Sequence, residues 1–509
     1  MGTRVVILAL LLWSSVAHAQ LFMVQNVNDA GTGSLRAAII GANPVGGSII
    51  VDTSGTIVLA SPLPALQDLV TITGPGAATF TVQGSATVVP VFSVAGNVTL
   101  TGMTITGGAN ASGNGGGIAV TSGSLALNDS VVSGNSAQAG AAVVASANLT
   151  IRRSTITGND GASAVLVTGG NTTVIDSAIA SNQGTAIVFT PLNKTLTINR
   201  STISGNTSAS GVGGLQLQGG TANVRNTTFS GNTGAQAGDF WTFSDGVTLS
   251  LLNVTAVGGS APALLFDHAS IVNLRNTLFA GTGARCGGGH MPTSQGHNLS
   301  VDTTCNLTGT ADKPGMDPML GALTANGGTT KTHLPMANSP ALNAGDGASV
   351  ETMDQRGKMR VQFGVVDIGA VEAVEPLIAT QPEAPQSLVE GDMLTLTIVA
   401  MNQDSTAALK FQWRKDATAI TGATAATFTK PDATPADSGM YDVLVTNEGG
   451  TLASKAVAVT VTAAVRPDSP DGGGDGGGCC SAAGDGGASS ALLALLLAAR
   501  LGLPRRRTR

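Results

Sequence analysis

Charged residues recur at a regular interval in the first half of the chain, where they could support catalysis. Asp129, Arg153, Asp176 and Arg200 follow one another about 24 residues apart. A calcium-dependent polysaccharide lyase needs acids from adjacent repeats to hold the ion, and an arginine or lysine as the base. In this column no two acids are consecutive, and opposite charges at strand spacing attract each other. The alternation therefore predicts a structural ladder of charges instead of an active site.

A second candidate is a pair of carboxylates beside an aromatic cluster. Asp239 and Asp245 flank Phe240, Trp241 and Phe243 in a chain with few aromatic residues. Hydrolysis of a glycosidic bond uses two carboxylates, and the aromatic rings could stack on a sugar. The three aromatic residues are therefore a candidate ligand patch, and the alternative is a hydrophobic contact within a long turn.

Three further acids, Asp346, Asp354 and Asp367, form a candidate calcium site, and calcium is the one cofactor that the sequence suggests. Acids in such motifs also fix turns through hydrogen bonds to the backbone, and this alternative stays open. We find no zinc spacing of Cys and His, no Ser/His/Asp order and no phosphate-binding loop. The sequence thus favours a protein without catalytic activity, with a carbohydrate-active enzyme as the alternative.

The four cysteines fall into two groups. Cys286 and Cys305 lie in one stretch rich in Gly, Ser and Thr, whereas Cys479 and Cys480 are adjacent near the C-terminus. Neighbouring cysteines rarely bond to each other because the ring that they would close is strained. We therefore predict a disulfide between Cys286 and Cys305 and a separate role for the other two.

The composition narrows the class of protein further. The chain has 509 residues, 69 of them Gly, with 3% aromatic, 11% charged and 42% apolar residues. Low charge and high apolar content argue against disorder, and many small residues suit narrow, repeated β-coils. A net charge of -6 offers no basic surface for nucleic acid. The length suggests two or more domains.

An internal repeat accounts for residues 20–373. Eight segments align on an inward aliphatic column: Leu100, Leu127, Ile151, Val174, Ile198, Val224, Leu251 and Leu274. A similar column lies two residues earlier, which is the strand period. A column of asparagines predicts a ladder of side-chain amides: Asn135, Asn159, Asn182, Asn206 and Asn232. A period near 24 residues is one turn of a three-sided solenoid, so we predict a right-handed parallel β-helix.

The two ends of the chain indicate export and anchoring. Residues 1–19 have the basic, apolar and small-residue regions of a signal peptide, with cleavage between Ala19 and Gln20. At the other end, a Gly/Asp-rich linker at 465–487 precedes an apolar run with terminal arginines at 488–509. Such a run can stop in a membrane, although it is short for a permanent span.

Residues 374–464 have a different pattern, with alternating strands at 394–398, 409–413 and 441–445. The sequence from Asp437 to Tyr441 is typical of the tyrosine corner of an immunoglobulin-like sandwich, and Trp413 fits its core. Ile398 and Val443 occupy the positions that usually form its disulfide. We predict an all-β chain in which a small immunoglobulin-like β-sandwich follows the β-helix. The sandwich is a spacer in one interpretation and a ligand-binding module in the other.

Motifs at both ends of the repeat resemble those of a known family. They are the stretch at 24–39 and the closing sequences Asp-Pro-Met-Leu-Gly at 317–321, Asp-Gln-Arg-Gly at 354–357 and Asp-Ile-Gly-Ala-Val-Glu at 367–372. Residues 23–373 resemble the choice-of-anchor Q family of bacterial surface proteins. This resemblance implies a parallel β-helix on an exported protein that is joined to varied anchors, and it implies no activity.

The tail resembles a myxobacterial type of C-terminal sorting signal, with a cysteine, an apolar run and an arginine cluster. That resemblance implies a sorting protease, cleavage near Cys479 or Cys480, and attachment at the outer membrane surface of a Gram-negative cell. A simple membrane tail anchor is the alternative. We expect a display or adhesion protein that binds surface carbohydrate or another cell-surface protein. A polysaccharide lyase and a structural envelope component are the alternatives.

Overall fold

The computed structural model describes residues 20–464 apart from 68, 86, 261, 337, 350, 361–365, 374–375, 386, 402–407 and 448–449. The expected signal peptide, the linker at 465–487 and the segment 488–509 lie outside the described residues. Within the described part of the chain, no helix has both the length and the hydropathy needed to cross a membrane.

A parallel β-helix of about 12 turns forms the first part of the chain. Each full coil has three faces. The strands of the first face are Gln20–Val24, Gly47–Val51, Val70–Thr73, Asn97–Thr101, Ser124–Asn128, Asn148–Arg152, Thr172–Ile175, Thr195–Asn199, Ile271–Arg275 and Thr293–Ser294. Thr221–Ser230 and Thr248–Val257 run on from the first face into the second. The remaining strands of the second face are Gly55–Val58, Phe80–Gln83, Thr104–Thr106, Val131–Ser133, Thr155–Thr157, Ala178–Ala180, Thr202–Ser204, Leu278–Ala280, Leu299–Ser300 and Lys313–Pro314.

The third face forms a separate parallel sheet. Its strands are Phe92–Val94, Ile118–Val120, Val143–Ala145, Asp160–Val167, Gln183–Phe189, Leu215–Leu217, Phe240–Thr242, Leu264–Phe266 and Cys286–Gly288. Short strands in the turn before it are Ala109–Asn110, Ser136–Ala137, Thr207–Ser208 and Thr233–Gly234. Successive coils pair in register, so that Leu125, for example, lies between Val98 and Leu149.

One residue makes the bend between the first and second faces. In seven successive coils it has a positive φ of 44–54°: Asp129, Arg153, Asp176, Arg200, Asn226, Asn253 and Asn276. A single left-handed residue turns the chain sharply and leaves strands on both sides free to pair with the next coil. The column that the sequence marked as charged is therefore the bend of the solenoid.

The aliphatic columns face inward, as predicted. Ile151, Val174 and Ile198 are completely buried, and they belong to one continuous apolar core along the axis. The coil is narrow, so residues from its three faces meet directly. At the N-terminal end, the helix Leu35–Ala42 covers this core with Leu35 and Ile39, and the Ser34 side chain caps the helix by accepting from the Ala37 N–H.

The predicted asparagine ladder is confirmed inside the coil. Each amide Nδ2 donates to the Oδ1 of the next asparagine: Asn135, Asn159, Asn182, Asn206 and Asn232 are joined at 2.9–3.0 Å. All five are buried. The same Nδ2 groups also donate to backbone carbonyls, and each Oδ1 accepts a backbone N–H from the preceding coil. At its end, Asn232 donates to the carboxylate of Asp239 at 2.9 Å.

Residues 377–462 form a second, antiparallel module. Its strands are Leu377–Thr380, Leu388–Val389, Leu394–Thr397, Val399–Met401, Lys410–Lys415, Thr418–Ala419, Thr427–Lys430, Gly439–Asn447, Gly450–Ala453, Val457–Val459 and Val461–Thr462. The short helix Pro435–Asp437 precedes Gly439–Asn447. Trp413, Tyr441 and Val443 lie at the centre of its apolar core. Leu388–Val389 and Val461–Thr462 are its one parallel pair among the described strands.

The ladder generates a stability prediction at Asn182. Substitution Asn182→Ala leaves the Asn159 N–H without its acceptor, removes one acceptor of Asn159 Nδ2 and removes one donor of Asn206 Oδ1. Each unsatisfied buried group costs about 1–3 kcal/mol. We expect a clearly lower urea midpoint of unfolding, followed by circular dichroism. The control Asn193→Ala changes an exposed amide in a turn and should leave the midpoint unchanged; equal effects of both substitutions would contradict the ladder's role.

Candidate functional site

Residues 318–373, called the docking segment below, fold back along the β-helix. Asn226 Nδ2 donates to the Met353 carbonyl at 3.0 Å, and the Asp346 N–H donates to Asn276 Oδ1 at 2.8 Å. His333 contacts Ser230 Oγ at 2.9 Å on the second face. The bend residues Asn226 and Asn276 suit these contacts, because an amide can both donate to and accept from a docked segment.

The docking segment is held by a buried cluster of charges. Asp354 accepts from Arg356 Nε at 2.9 Å, and Arg360 lies 3.7 Å from Glu372 while donating to Asn226 Oδ1 at 2.9 Å. Among the described residues, the cluster combines Asp354, Asp367 and Glu372 with two arginines. Burial, reinforced by the charge of Asp367, raises the pKa of Glu372 to about 9. A protonated Glu372 leaves two carboxylates to balance the two guanidinium groups.

The acids that suggested calcium have other partners. Asp354 accepts the N–H groups of Arg356 and Lys358, and Asp367 accepts those of Asn343 and Ala373. Asp346 pairs with Arg275 of the β-helix. These carboxylates therefore fix turns and the docked backbone. The described residues contain no group of three or more His, Cys, Asp or Glu side chains placed to hold a metal ion.

The alternating charges on the bends form two ion pairs. Arg153 Nε and Nη2 bind the two oxygens of Asp129 at 2.7 and 2.8 Å, and Arg200 binds Asp176 in the same way at 2.8 and 3.0 Å. The Arg153 guanidinium holds the pKa of Asp129 below its usual range. The structure thus confirms a ladder of matched charges.

The aromatic cluster is divided between the inside and the outside of the third face. Phe240 is completely buried and packs on Phe229, whereas Trp241 and Phe243 meet edge to face outside, with ring centroids 4.7 Å apart. Trp241 Nε1 donates to Asp267 at 2.7 Å. Whether Trp241 and Phe243 bind a ligand stays a prediction, and Phe240 contributes to the core.

Asp239 and Asp245, the predicted carboxylate pair, have different environments. Asp239 is fully buried, ends the asparagine ladder, and has its pKa raised by burial to about 7. Asp245 is largely exposed, lies 3.7 Å from His268 Nδ1, and accepts the Ala269 N–H. The one carboxylate faces the core and the other faces solvent, so the two do not share a surface.

Cys286 and Cys305 form the predicted disulfide. The bond links a strand of the third face to the turn after Leu299–Ser300, at the C-terminal end of the apolar core. Beside it, the buried Arg285 side chain donates to three backbone carbonyls, of Ala280, Thr282 and Gly283. Cys479 and Cys480 lie outside the described residues.

A groove of about 320 Å³ lies on the outside of the first face, and the sequence analysis did not identify it. Its side chains are Asn223, Arg225, Ser250, Leu252, Asn273, Arg275 and Gln295. Arg225 and Arg275 reach the docking segment through ion pairs with Glu351 and Asp346. These residues flank the inward column of Val224, Leu251 and Leu274. Their sequence positions beside that inward column are the only indication that they face outward, since outward positions on a strand alternate with inward ones.

Comparisons with known proteins support the first part of the chain most directly. A family model described as a right handed beta helix region matches residues 88–256. The decoration protein of Escherichia phage T5 is 34% identical in an alignment 116 residues long, which covers 20% of this chain and 66% of that protein.

Two solved structures resemble smaller parts of the chain. Sidekick-1 immunoglobulin domains 1-5 are 27% identical and match 18% of this chain and 19% of that one, with a TM-score of 0.16. The tandem Ig repeats of Dlar are 21% identical over 18% of this chain and 51% of that one, also with a TM-score of 0.16. The family match and the stacked coils together make residues 88–256 part of a right-handed parallel β-helix.

The buried charge cluster predicts a pH dependence. The pKa of Glu372 is about 9 in the folded chain and near 4.5 without burial, so the folded state holds a proton that the unfolded state releases between these values. Its contribution to stability is therefore complete below pH 4.5 and is lost as the pH rises towards 9.

We expect the rate of hydrogen exchange in the docking segment to rise between pH 6 and 9. This rise should exceed the increase in the intrinsic chemical exchange rate over the same pH range. Glu372→Gln keeps the side chain neutral and should flatten this change. Glu383→Gln, at an exposed site of the second module, is the matched control. An unchanged profile for Glu372→Gln would refute a protonated Glu372.

Proposed function

We propose that this protein is exported and displayed on the cell surface, where its β-helix is a rigid, non-catalytic rod for adhesion. The observation that carries the proposal is the pairing of charges along the rod. Asp129 is matched by Arg153 and Asp176 by Arg200, while Arg225 and Arg275 are matched by acids of the docking segment. A catalytic groove would instead bring together acids or leave a base unmatched.

The closing motifs fit a member of the choice-of-anchor Q type of surface protein. Asp354, Arg356 and Glu372 bond to one another within the docking segment, and Gln355 of the same motif accepts from Thr228 of the coils. In this role they complete the β-helix, and attachment to the cell depends on the segments that follow. A rod of coils that is joined to separate anchors is suited to display.

The second module is an immunoglobulin-like sandwich in this proposal, and it acts as a spacer. Tyr441 Oη donates to the Asp437 carbonyl at 2.8 Å, which is the hydrogen bond of a tyrosine corner. Trp413 is buried beside Ile398 and Val443, so apolar packing takes the place of the usual disulfide.

Export and attachment rest on the two ends of the chain. Residues 1–19 act as the signal peptide, with cleavage between Ala19 and Gln20. The tail is recognised by a sorting protease near Cys479 or Cys480, and its apolar run contacts the membrane. The expected location is the outer surface of a Gram-negative cell, and the partners are surface carbohydrate or another cell-surface protein.

A carbohydrate-active enzyme is the second candidate, because of one specific arrangement. His268 and Asp245 lie next to the exposed ring of Phe243, whose centroid is 5.8 Å from that of His268. A histidine and a carboxylate beside an aromatic ring could serve acid–base chemistry on a sugar. Release of uronate or of reducing ends from any polysaccharide, abolished by His268→Ala, would support this candidate and contradict the first.

Anchoring generates a localisation prediction. Replacing Cys479 and Cys480 together by serine should release the protein into the medium or leave it inside the envelope, because the processing site is lost. Surface protein is measured by protease shaving of intact cells and immunoblotting. Ser481→Ala is the matched control and should leave surface protein unchanged. Full surface retention of the double cysteine variant would refute the sorting signal.

A further inference from the structure

We propose that the groove on the first face binds a stretch of an uncharged, extended polysaccharide whose sugars follow the coils of the rod. This inference rests on the proposed function and deepens it, since it names a ligand class and a site for adhesion. Four features of the groove support it: the register of its residues, their unused hydrogen-bonding groups, the charge of the neighbouring arginines, and the column that continues beyond it.

The floor of the groove is a regular grid. Asn223, Ser250 and Asn273 lie side by side in three successive coils, because the pairing is in register. Arg225, Leu252 and Arg275 form a parallel row two residues further along the strands. Adjacent strands lie about 4.8 Å apart. A ligand that lies across the strands therefore meets the same kind of group at each coil, at a spacing close to the length of one sugar in an extended chain.

The amides and the hydroxyl of this grid are available to a ligand. Within the described chain, the side chains of Asn223, Ser250, Asn273 and Gln295 make no hydrogen bond, whereas the five asparagines of the interior ladder are bonded to one another or to Asp239. Amides both donate and accept, as sugar hydroxyl groups do. Polar groups that converge on a groove and have no partner in the protein are typical of a binding site.

The charges at the groove favour a neutral ligand. Arg225 donates to Glu351 at 2.6 Å, and Arg275 is paired with Asp346. A carboxylated sugar would have to displace these acids, whereas a neutral sugar can accept from the remaining guanidinium N–H groups. Leu252, between the two arginines, offers an apolar surface to the C–H face of a sugar ring.

The same outward column extends far beyond the groove. From Ser48 to Thr293 every position in this column is Ser, Thr or Asn except Ala126. A periodic, uncharged column of hydroxyl and amide groups suits a periodic, uncharged ligand. The groove is then the point of tightest contact, and longer chains gain further contacts along the rod.

The test is direct binding of linear oligosaccharides to the purified full chain, measured by titration calorimetry. The probes are glucose, cellotriose, cellohexaose and chitohexaose as neutral ligands and hexagalacturonate as the acidic one. We expect binding of the neutral hexamers, weaker binding of cellotriose and none of glucose. The variant Asn223→Leu with Asn273→Leu should weaken hexamer binding at least tenfold, since two sets of hydrogen bonds are lost.

Two further variants distinguish loss of the binding site from loss of the folded state. Ser250→Tyr fills the middle of the groove and should abolish binding, while the thermal midpoint by circular dichroism shows whether each variant is folded. Thr155→Val with Thr157→Val changes outward threonines of the second face, away from this column, and should alter affinity by less than twofold. Absence of binding by every neutral hexamer, an equal affinity for the double asparagine variant, or a preference for hexagalacturonate would overturn the inference.

Failure of this inference is distinguishable from failure of the proposed function. Display is read from protease shaving of intact cells and adhesion from attachment of those cells to a host or neighbouring surface. If cells display the protein and attach through it while the purified chain binds no neutral glycan, the proposed adhesion function stands. Only the proposed ligand class is then wrong.

Discussion

The structure depends on one residue per coil that adopts a left-handed conformation between the first and second faces. This residue turns the chain without breaking the pairing of the strands on either side, so each coil repeats the register of the one before it. Because the bend residues stack, their side chains have fixed neighbours. Asp129 meets Arg153 where the bend is open to solvent, and Asn226 meets a docked backbone where it is covered.

Stacking also explains why polar groups can be buried in so narrow a coil. A single buried amide would leave donors and acceptors unsatisfied, and each would cost free energy. Asn182 avoids this cost because Asn159 and Asn206 lie directly beside it and the backbone satisfies the remaining groups. The ladder needs an end, and the buried carboxylate of Asp239 accepts the last amide donor. Its raised pKa is a consequence of that position.

Much of the coil was predictable because it follows from local periodicity. The inward columns, the asparagine ladder, the matched charges and the disulfide were all predicted from spacing in the sequence. The docking segment was not, since many of its contacts join residues more than a hundred positions apart, such as Arg360 with Asn226 and Gln355 with Thr228. One local signal was available, namely the change of the bend column from charged residues to asparagine at Asn226, but it does not name the segment that covers the bend.

The docking segment divides the rod into surfaces with different uses. It covers the second face from Thr202 onwards, where Thr202 donates to the Lys331 carbonyl and Ala370 donates to Thr255. The first face stays open beside it, and the acids of the segment neutralise Arg225 and Arg275 at the edge of the groove. The segment that completes the fold therefore also sets the charge of the groove. Beside this segment, the uncharged outward column is therefore flanked by two arginines whose charges are already paired.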